Sequence, residues 1–273
     1  MFVLPQPTDD GLLIPKVGSW SRDKHHFLVR YIDAFTTAMR DKGWGGLHYI
    51  DLFAGAGIEQ VEDYGLDWGS PLIAAQAPYL FNQMHVCELE KKRCTALRAR
   101  LKRFPQPSPP QVLQGDANKK VHDVVKALPT NTLSLAFLDP YGLHLHFETL
   151  RALSARKVDL IIFFPDHLDA LRNWENVYQG RPNSQLDRVL GVPWLDVMTA
   201  APQDRWAQVL TDLYVRQIKT LGYSEFEYER ISLPNRRFLY KLIFCSRHKA
   251  GGQIWRNVSL RKPGGQGTFA FDS

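Results

Sequence analysis

The sequence contains no long hydrophobic run and few cysteines. No segment reaches the about 18 apolar residues that a membrane-spanning helix requires, so no membrane span is expected. The N-terminal segment has no basic stretch, and proline and aspartate interrupt its apolar residues, unlike a signal peptide. Cys87, Cys94 and Cys245 are widely spaced and form no CxxC pair, so neither a disulfide framework nor a cysteine metal site is expected. These features predict a cytoplasmic protein with reduced thiols and no metal.

The composition is that of a folded globular protein, with 44% hydrophobic and 23% charged residues. The length of 273 residues fits a single α/β domain with insertions. The formal net charge of +6 is compatible with a polyanionic partner, although many basic enzymes never bind nucleic acid. Charge therefore leaves the class of partner open.

Short apolar segments alternate with amphipathic ones over the first 164 residues. Strands are predicted at residues 48–53, 84–89, 111–114, 133–138 and 158–164, and helices at residues 21–42, 70–80, 90–104, 119–128 and 146–155. This alternation is typical of βαβ units, so the predicted fold class is α/β with a mostly parallel sheet and helices on both faces. Two β-rich segments, 225–233 and 237–246, predict an antiparallel hairpin at the sheet edge.

The predicted division is one domain with five parts. They are an N-terminal extension with a helix (1–45), a core (46–164), a helical insertion or lid (165–218), the edge hairpin (219–250) and a loosely held, glycine-rich tail (251–273).

Two glycines separated by one small residue follow the first predicted strand. Gly55 and Gly57 lack a Cβ, which lets the backbone turn tightly and approach a ligand closely. Gln60 stands where the dinucleotide fingerprint GxGxxG requires its third glycine, and the sequence contains no GxxxxGK[ST]. A pyrophosphate or triphosphate ligand is therefore disfavoured.

Acidic residues follow the next three predicted strands. Glu88, with Glu90 as the alternative, could accept hydrogen bonds from ribose hydroxyls, and Asp116 could accept one from an adenine amine. Asp139 and Tyr141 follow the fourth strand. Because the carboxyl ends of parallel strands share one edge of a sheet, these side chains should lie close together. They predict a pocket for a nucleoside without phosphates, namely S-adenosylmethionine.

Seven segments match a known family pattern: SWSRDKHHFLVRYIDAF, YIDLFAGAG, GSPLIA, CELE, GDAN, FLDPYGLH and DLIIFFP. They resemble the class I, Rossmann-like methyltransferases and, more narrowly, the three-Cys-motif partner (TcmP) family. The resemblance covers roughly residues 19–175. It implies a methyltransferase fold, S-adenosylmethionine as cofactor and a partner protein, encoded nearby, that carries the three-Cys motif.

The resemblance also implies roles for single residues. The methionine half of the cofactor would be surrounded by Asp51, Phe53, Ala54, Gly55 and Gly57. Glu88 would hold the ribose, and Asp116 and Asn118 would contact the adenine.

The segment Asp139-Pro140-Tyr141-Gly142 is similar to the [DNS]PP[YF] motif of amino-methylating enzymes. In that motif the acid accepts a hydrogen bond from the target amine and the aromatic ring stacks on its base. One proline is missing here, and Gly142 follows the tyrosine. On this template Asp139 and Tyr141 would be catalytic, while Pro140, Gly142 and Arg172 would contact the methyl acceptor.

Several interpretations stay open at this point. Asp139 is the first candidate base, with His144 and His146 second. A cytosine-carbon methyltransferase would need a nucleophilic cysteine where Asp139 stands, so that chemistry is disfavoured. The predicted helix at residues 90–104 is either a phosphate-binding track or a solvated outer face. Its cations are Lys91, Lys92, Arg93, Arg98, Arg100, Lys102 and Arg103.

The leading functional hypothesis is transfer of a methyl group to a nitrogen of a nucleic acid or modified base. One alternative is an S-adenosylmethionine-binding partner subunit with little catalysis of its own, which docks another protein. The other alternative is methyl transfer to a small molecule.

Overall fold

A seven-stranded sheet forms the centre of the molecule. The computed structural model describes residues 4–164, 184–194, 202, 205–232 and 238–260. The strands, in spatial order, are β6 (Gln111–Gln114), β5 (Gln83–Glu88), β2 (Leu47–Asp51), β7 (Leu133–Leu138), β8 (Val158–Phe164), β10 (Phe238–Ser246) and β9 (Glu225–Ser232). The first five are parallel, and β10 runs antiparallel to both β8 and β9. The predicted α/β sheet with an antiparallel edge hairpin is confirmed.

The strand order reverses next to β2. From β2 the chain proceeds outward through β5 and β6, then returns to β7 on the opposite side of β2 and continues to β8. Such a reversal opens a crevice beyond the carboxyl ends of the strands, where ligands of open α/β sheets bind.

Helices cover both faces of the sheet. One face carries α1 (Ser21–Met39), α2 (Ser70–Ala75), α3 (Lys91–Leu101) and α8 (Lys249–Ser259), and the other carries α4 (Ala117–Ala127), α5 (Phe147–Ser154), α6 (Gln185–Leu190) and α7 (Trp206–Lys219). Side chains alternate along β2, so Tyr49 packs in the core under the face that carries α1, and Ile50 packs in the core under the opposite face. The strands are therefore apolar on both sides, as a doubly covered sheet requires.

The segment predicted as a loosely held tail begins with helix α8, so that prediction was wrong for residues 251–259. Trp255 is fully buried and stacks on Phe244, with the ring centroids 5.0 Å apart. Gly251 permits the contact, because a Cβ there would lie 2.5 Å from the Ser246 hydroxyl. The two glycines suggested a loose segment, whereas the spacing of Trp255 and Val258 makes one apolar helix face. Residues 261–273 lie outside the described residues.

A second, small sheet lies in segments for which the sequence analysis predicts no strand. It consists of β1 (Lys16–Val17), β3 (Ile58–Val61) and β4 (Gly65–Trp68), with β3 in the middle. The strands are short and half polar, which hides the alternation that would have revealed them. This sheet carries Glu59 towards the carboxyl edge of the main sheet, beside Lys24 and Asp139.

The predicted insertion is described only in part. Helix α6 falls within it and α7 begins within it, and α6 starts with a capping box formed by Ser184 and Asp187. Arg172 lies outside the described residues, so its predicted contact with the methyl acceptor stays a prediction. In the part of the chain that the structure describes, no helix is both long enough and apolar enough to cross a membrane.

Candidate functional site

A cavity of about 480 Å³ opens at the carboxyl ends of β2, β5, β6 and β7. Its walls include Phe53, Glu88, Leu89, Asp116, Asn118 and Tyr141. Each of the four predicted loops thus contributes at least one side chain. The volume falls in the range of small-molecule sites, about 300–1,000 Å³.

Glu88 is a buried carboxylate fixed by two backbone amides. The N–H of Gly55 donates to its Oε2 at 2.9 Å, and the N–H of Glu90 donates to its Oε1 at 2.8 Å. A carboxylate offers about four lone-pair positions, so two stay available to a ligand in the cavity. The loop after β2 and the loop after β5 are joined at this group.

The two glycines after β2 do different things. Gly55 has φ +63°, and no atom lies within 4 Å of the position that its Cβ would take. Gly57 has φ +89°, and its Cβ would lie about 3.0 Å from Leu72 and 3.1 Å from Leu97. Gly55 therefore leaves open space at the site, whereas Gly57 lets the loop pack on helices α2 and α3.

Asp51 is fully buried and fixes the loop after β2 through hydrogen bonds. It accepts hydrogen bonds from the Phe53 N–H at 3.1 Å, from the Ser70 hydroxyl at 2.6 Å and from the Tyr49 hydroxyl at 3.3 Å. Burial raises the pKa of this carboxyl to about 7, against the lowering effect of those hydrogen bonds. Ala54, also buried, ties the loop to β5 through its N–H, which donates to the Cys87 carbonyl at 2.9 Å.

Asp116 and Asn118 hold the far wall of the cavity. Asp116 is the N-cap of α4, and its Oδ1 accepts from the Asn118 N–H at 2.9 Å. The Asn118 carboxamide donates to the His144 carbonyl at 3.0 Å and accepts from the Thr149 hydroxyl at 2.8 Å. Asn118 therefore fixes the loop between β7 and α5, which the sequence had not indicated.

The sequence also missed Lys24 of α1. Its ammonium group forms an ion pair with Oδ2 of Asp139, and both side chains are largely buried. Burial alone lowers the pKa of Lys24, but the charges of Asp139 and Glu59 outweigh it and the net shift is upward. Among the described residues, Lys24 is thus a fixed cation beside the last residues of β7.

Glu59 completes a cluster of charged groups with Lys24 and Asp139. Its Oε2 is buried and has no hydrogen-bond partner among the described residues. Burial raises the pKa of Glu59 to about 7, while the charge of Lys24 opposes that shift. One lysine therefore faces two carboxyl groups at this position.

Tyr141 stands between this cluster and the cavity. Its ring lines the cavity, and 64% of the residue is exposed. The guanidinium of Arg93 lies 5.8 Å from its ring centroid and pairs with Glu90 at 2.9 Å. Pro140 and Gly142 instead face Phe164 and Tyr214, on the other side of the loop. Tyr141 is therefore the residue of this segment best exposed to a second ligand.

His144 and His146 both line the cavity. Burial lowers the pKa of His146, with a smaller contribution from Arg188. Its Nε2 lies 3.1 Å from the Gln185 side-chain nitrogen. His146 is therefore neutral near pH 7 and joined to α6.

The basic helix α3 uses much of its charge within the fold. Arg100 is 1% exposed, and its guanidinium donates two hydrogen bonds of 2.7 and 2.9 Å to the Asp10 carboxylate. Arg103 pairs with the same carboxylate at 2.8 Å, and Arg98 donates to the Val112 carbonyl at 2.8 Å. Because these arginines are bound within the fold, the cations of α3 do not form a continuous phosphate-binding track.

The three cysteines are buried and unpaired. Burial is the first cause that raises the pKa of each thiol, which keeps it protonated and poorly nucleophilic. In the described ranges, no three histidine, cysteine, aspartate or glutamate side chains come together as a metal site.

No protein-family model matches the chain, and no curated protein matches it. Among solved structures, protein LPL1258 from Legionella pneumophila is similar over 89% of this chain and 91% of that one, with 13% identity and a TM-score of 0.53. Cofactor-bound Rv0187 from MTB is similar over 84% and 81%, with 11% identity and a TM-score of 0.50.

A third structure, the O-methyltransferase TomG from Streptomyces achromogenes in complex with SAM, is more distant. It covers 82% of this chain and 80% of its own, with 10% identity and a TM-score of 0.48. At such identities a similarity establishes the fold alone. The chain's own strand order and the helices on both faces of its sheet form the Rossmann-like α/β fold that the sequence predicted.

Proposed function

We propose that this protein is an S-adenosylmethionine-dependent methyltransferase that modifies a nitrogen of a nucleic acid or modified base. The observation that carries the proposal is the convergence of Phe53, Glu88, Asp116 and Tyr141 on one cavity at the strand-order reversal, with the Gly55 N–H bound to Glu88. The resemblance to the three-Cys-motif partner family supports it, although no family model matches.

The cavity residues fit an adenosine. Glu88 is already aligned by two amides, so its remaining lone pairs can accept from both ribose hydroxyls without reorganisation. Asp116 keeps Oδ2 for the exocyclic amine, since its contacts with Asn118 use Oδ1. Phe53, Leu89 and Ala117 supply apolar walls for the purine ring. The open space over Gly55 admits the sulfur side of the ligand.

The acceptor would bind on the Tyr141 side. Bound S-adenosylmethionine would supply an activated methyl group, so the protein's main task is alignment of the acceptor nitrogen. The exposed Tyr141 ring can stack on a planar base. Oδ2 of Asp139 is held by Lys24, which leaves Oδ1 to accept a hydrogen bond from the acceptor N–H and to orient the nitrogen lone pair.

A methyl-transfer assay tests the proposal. Purified protein is incubated with methyl-labelled S-adenosylmethionine and, separately, with total RNA, DNA and a small-molecule extract. We expect label in a nucleic-acid fraction. Asp139→Ala should abolish transfer while S-adenosylhomocysteine still binds, because Asp139 lies outside the cavity walls.

The alternatives correspond to different results of the same assay. Label confined to the small-molecule fraction would mean that the acceptor is a small molecule and that the protein is still a methyltransferase. Cofactor binding without transfer to any fraction would instead indicate a partner subunit, for which addition of the neighbouring three-Cys-motif protein is the next arm. Absence of cofactor binding would overturn the proposal altogether.

A further inference from the structure

A second and larger cavity lies at the opposite edge of the sheet. It has a volume of about 600 Å³ and is bounded by the first residues of β7 and β8, Leu133 and Val158. It shares none of its lining residues with the cavity at the carboxyl ends. A seven-residue strand spans about 20 Å, so the two cavities are separated by the length of the sheet along its strands.

The inner walls of this second cavity are apolar, and its rim is cationic. Met39, Trp44 and Val158 contribute apolar surface. Lys42 and Lys157 are both exposed at the rim, and the Lys157 ammonium lies 5.1 Å from the Trp44 ring centroid. An apolar pocket flanked by like charges attracts a ligand with an apolar body and an anionic end.

One polar atom in the walls lacks a partner. The indole N–H of Trp44 is buried, and no acceptor reaches it among the described residues. A buried donor without an acceptor is costly, so native structures rarely leave one unexplained. Because this N–H is buried from solvent, it does not face the open cavity, and Trp44 contributes only apolar surface to the ligand.

The remaining charged groups set the orientation of such a ligand. The Arg247 guanidinium is engaged by the carbonyls of Ser154 at 2.6 Å and Leu221 at 2.7 Å. Asp159 is 7% exposed and accepts from the Tyr31 hydroxyl at 3.3 Å. Its carboxyl repels an anion from the inner wall, so the charged end of a ligand stays at the lysine rim.

We infer that this second cavity binds a small amphipathic organic anion, such as an aromatic carboxylate or sulfonate, independently of the proposed cofactor. The apolar body would occupy the space between Met39 and Val158. The acidic group would contact Lys42 and Lys157.

The test uses 1-anilinonaphthalene-8-sulfonate as probe and its uncharged analogue N-phenyl-1-naphthylamine. We expect saturable binding of the sulfonate at about one site per chain, and weaker binding of the neutral analogue. Lys42→Ala/Lys157→Ala should weaken sulfonate binding about tenfold, since two neighbouring cations are lost.

A charge-matched double variant, Lys102→Ala/Lys126→Ala, removes two exposed lysines elsewhere and should leave affinity within about twofold. Acetylation of wild-type Lys157, followed by mass spectrometry, gives a readout that needs no variant, and the probe should protect this residue. Equal weakening by both double variants, no protection of Lys157, or displacement of the probe by S-adenosylhomocysteine would overturn the inference. Of these three results, only displacement by S-adenosylhomocysteine would also concern the first cavity. That result would still be consistent with cofactor binding by the protein.

Discussion

Lys24 and Asp139, 115 residues apart in the sequence, form a largely buried ion pair that joins helix α1 to the end of strand β7. The pair anchors the loop that carries Tyr141 to the N-terminal helix. Glu59 lies near enough to add its charge to both groups. Because a buried cation lies between two carboxyl groups here, removal of any one of the three groups should lower the stability of the protein.

Lys24→Met should destabilise the protein by about 3 kcal/mol, because it leaves Asp139 and Glu59 buried without a cation. Adding Asp139→Asn to that variant should restore part of the loss, giving a coupling energy of about 1–3 kcal/mol. Urea unfolding of the two single variants and the double variant measures this cycle. Strict additivity would show that the ion pair contributes nothing to folding.

Gly55→Ala should abolish or strongly weaken cofactor binding. Its φ of +63° strains an alanine by about 1–2 kcal/mol, and the new methyl group enters the space over the cavity loop. Gly11 provides the matched control, since it has φ +74° and is equally open. Gly11→Ala should lose similar stability and keep full affinity for S-adenosylhomocysteine by calorimetry. Equal affinity of the two variants would contradict a role for Gly55 at the ligand.

Asp51 should make the free energy of unfolding depend on pH. Its pKa is about 7 in the folded protein and about 3.9 when unfolded, so between these values the folded state binds more protons. Stability from this group is therefore lost as pH rises from about 4 to 7. Asp51→Asn should gain about 2–4 kcal/mol relative to wild type across that interval.

Chemical unfolding at pH 5 and pH 8 gives the comparison. Exposed Asp63, which has φ +59°, supplies a control, because asparagine tolerates that conformation. The gain in unfolding free energy relative to wild type between pH 5 and pH 8 is compared for the two Asp→Asn variants, and Asp51→Asn should show the larger gain. An equal change in the two variants would mean that the Asp51 carboxyl is not protonated by burial.

The sequence predicted the parallel sheet, its edge hairpin and the four loops of the cavity, because each depends on local pattern. Apolar strand segments alternate with amphipathic helices, and Gly55, Glu88 and Asp116 each lie at or just after the end of a strand. The carboxyl ends of neighbouring parallel strands share an edge, so the residue pattern alone is enough to group these loops.

What the sequence could not provide depends on contacts between distant segments. Lys24 is one of several cations in its helix, and no local pattern pairs it with Asp139. Glu59 stands in a polar stretch whose strands are too short to show a period. Arg100 has the spacing of a surface charge, although it is buried against Asp10 of the N-terminal segment. Helix α8 was obscured by Gly251 and Gly252, which serve close packing rather than flexibility.

Glu88 offers the most direct test of the adenosine site. Calorimetry would compare S-adenosylhomocysteine with its 2′-deoxy analogue on wild type, Glu88→Gln and, as control, Glu90→Gln. Wild type and Glu90→Gln should prefer the ribose form by about tenfold, since hydrogen bonds to charged groups are worth about 1.5–3 kcal/mol. Glu88→Gln should bind the ribose form about 10–100-fold more weakly and lose that preference. A Glu88→Gln protein that keeps wild-type affinity and preference, or a wild type that binds neither compound, would contradict the account.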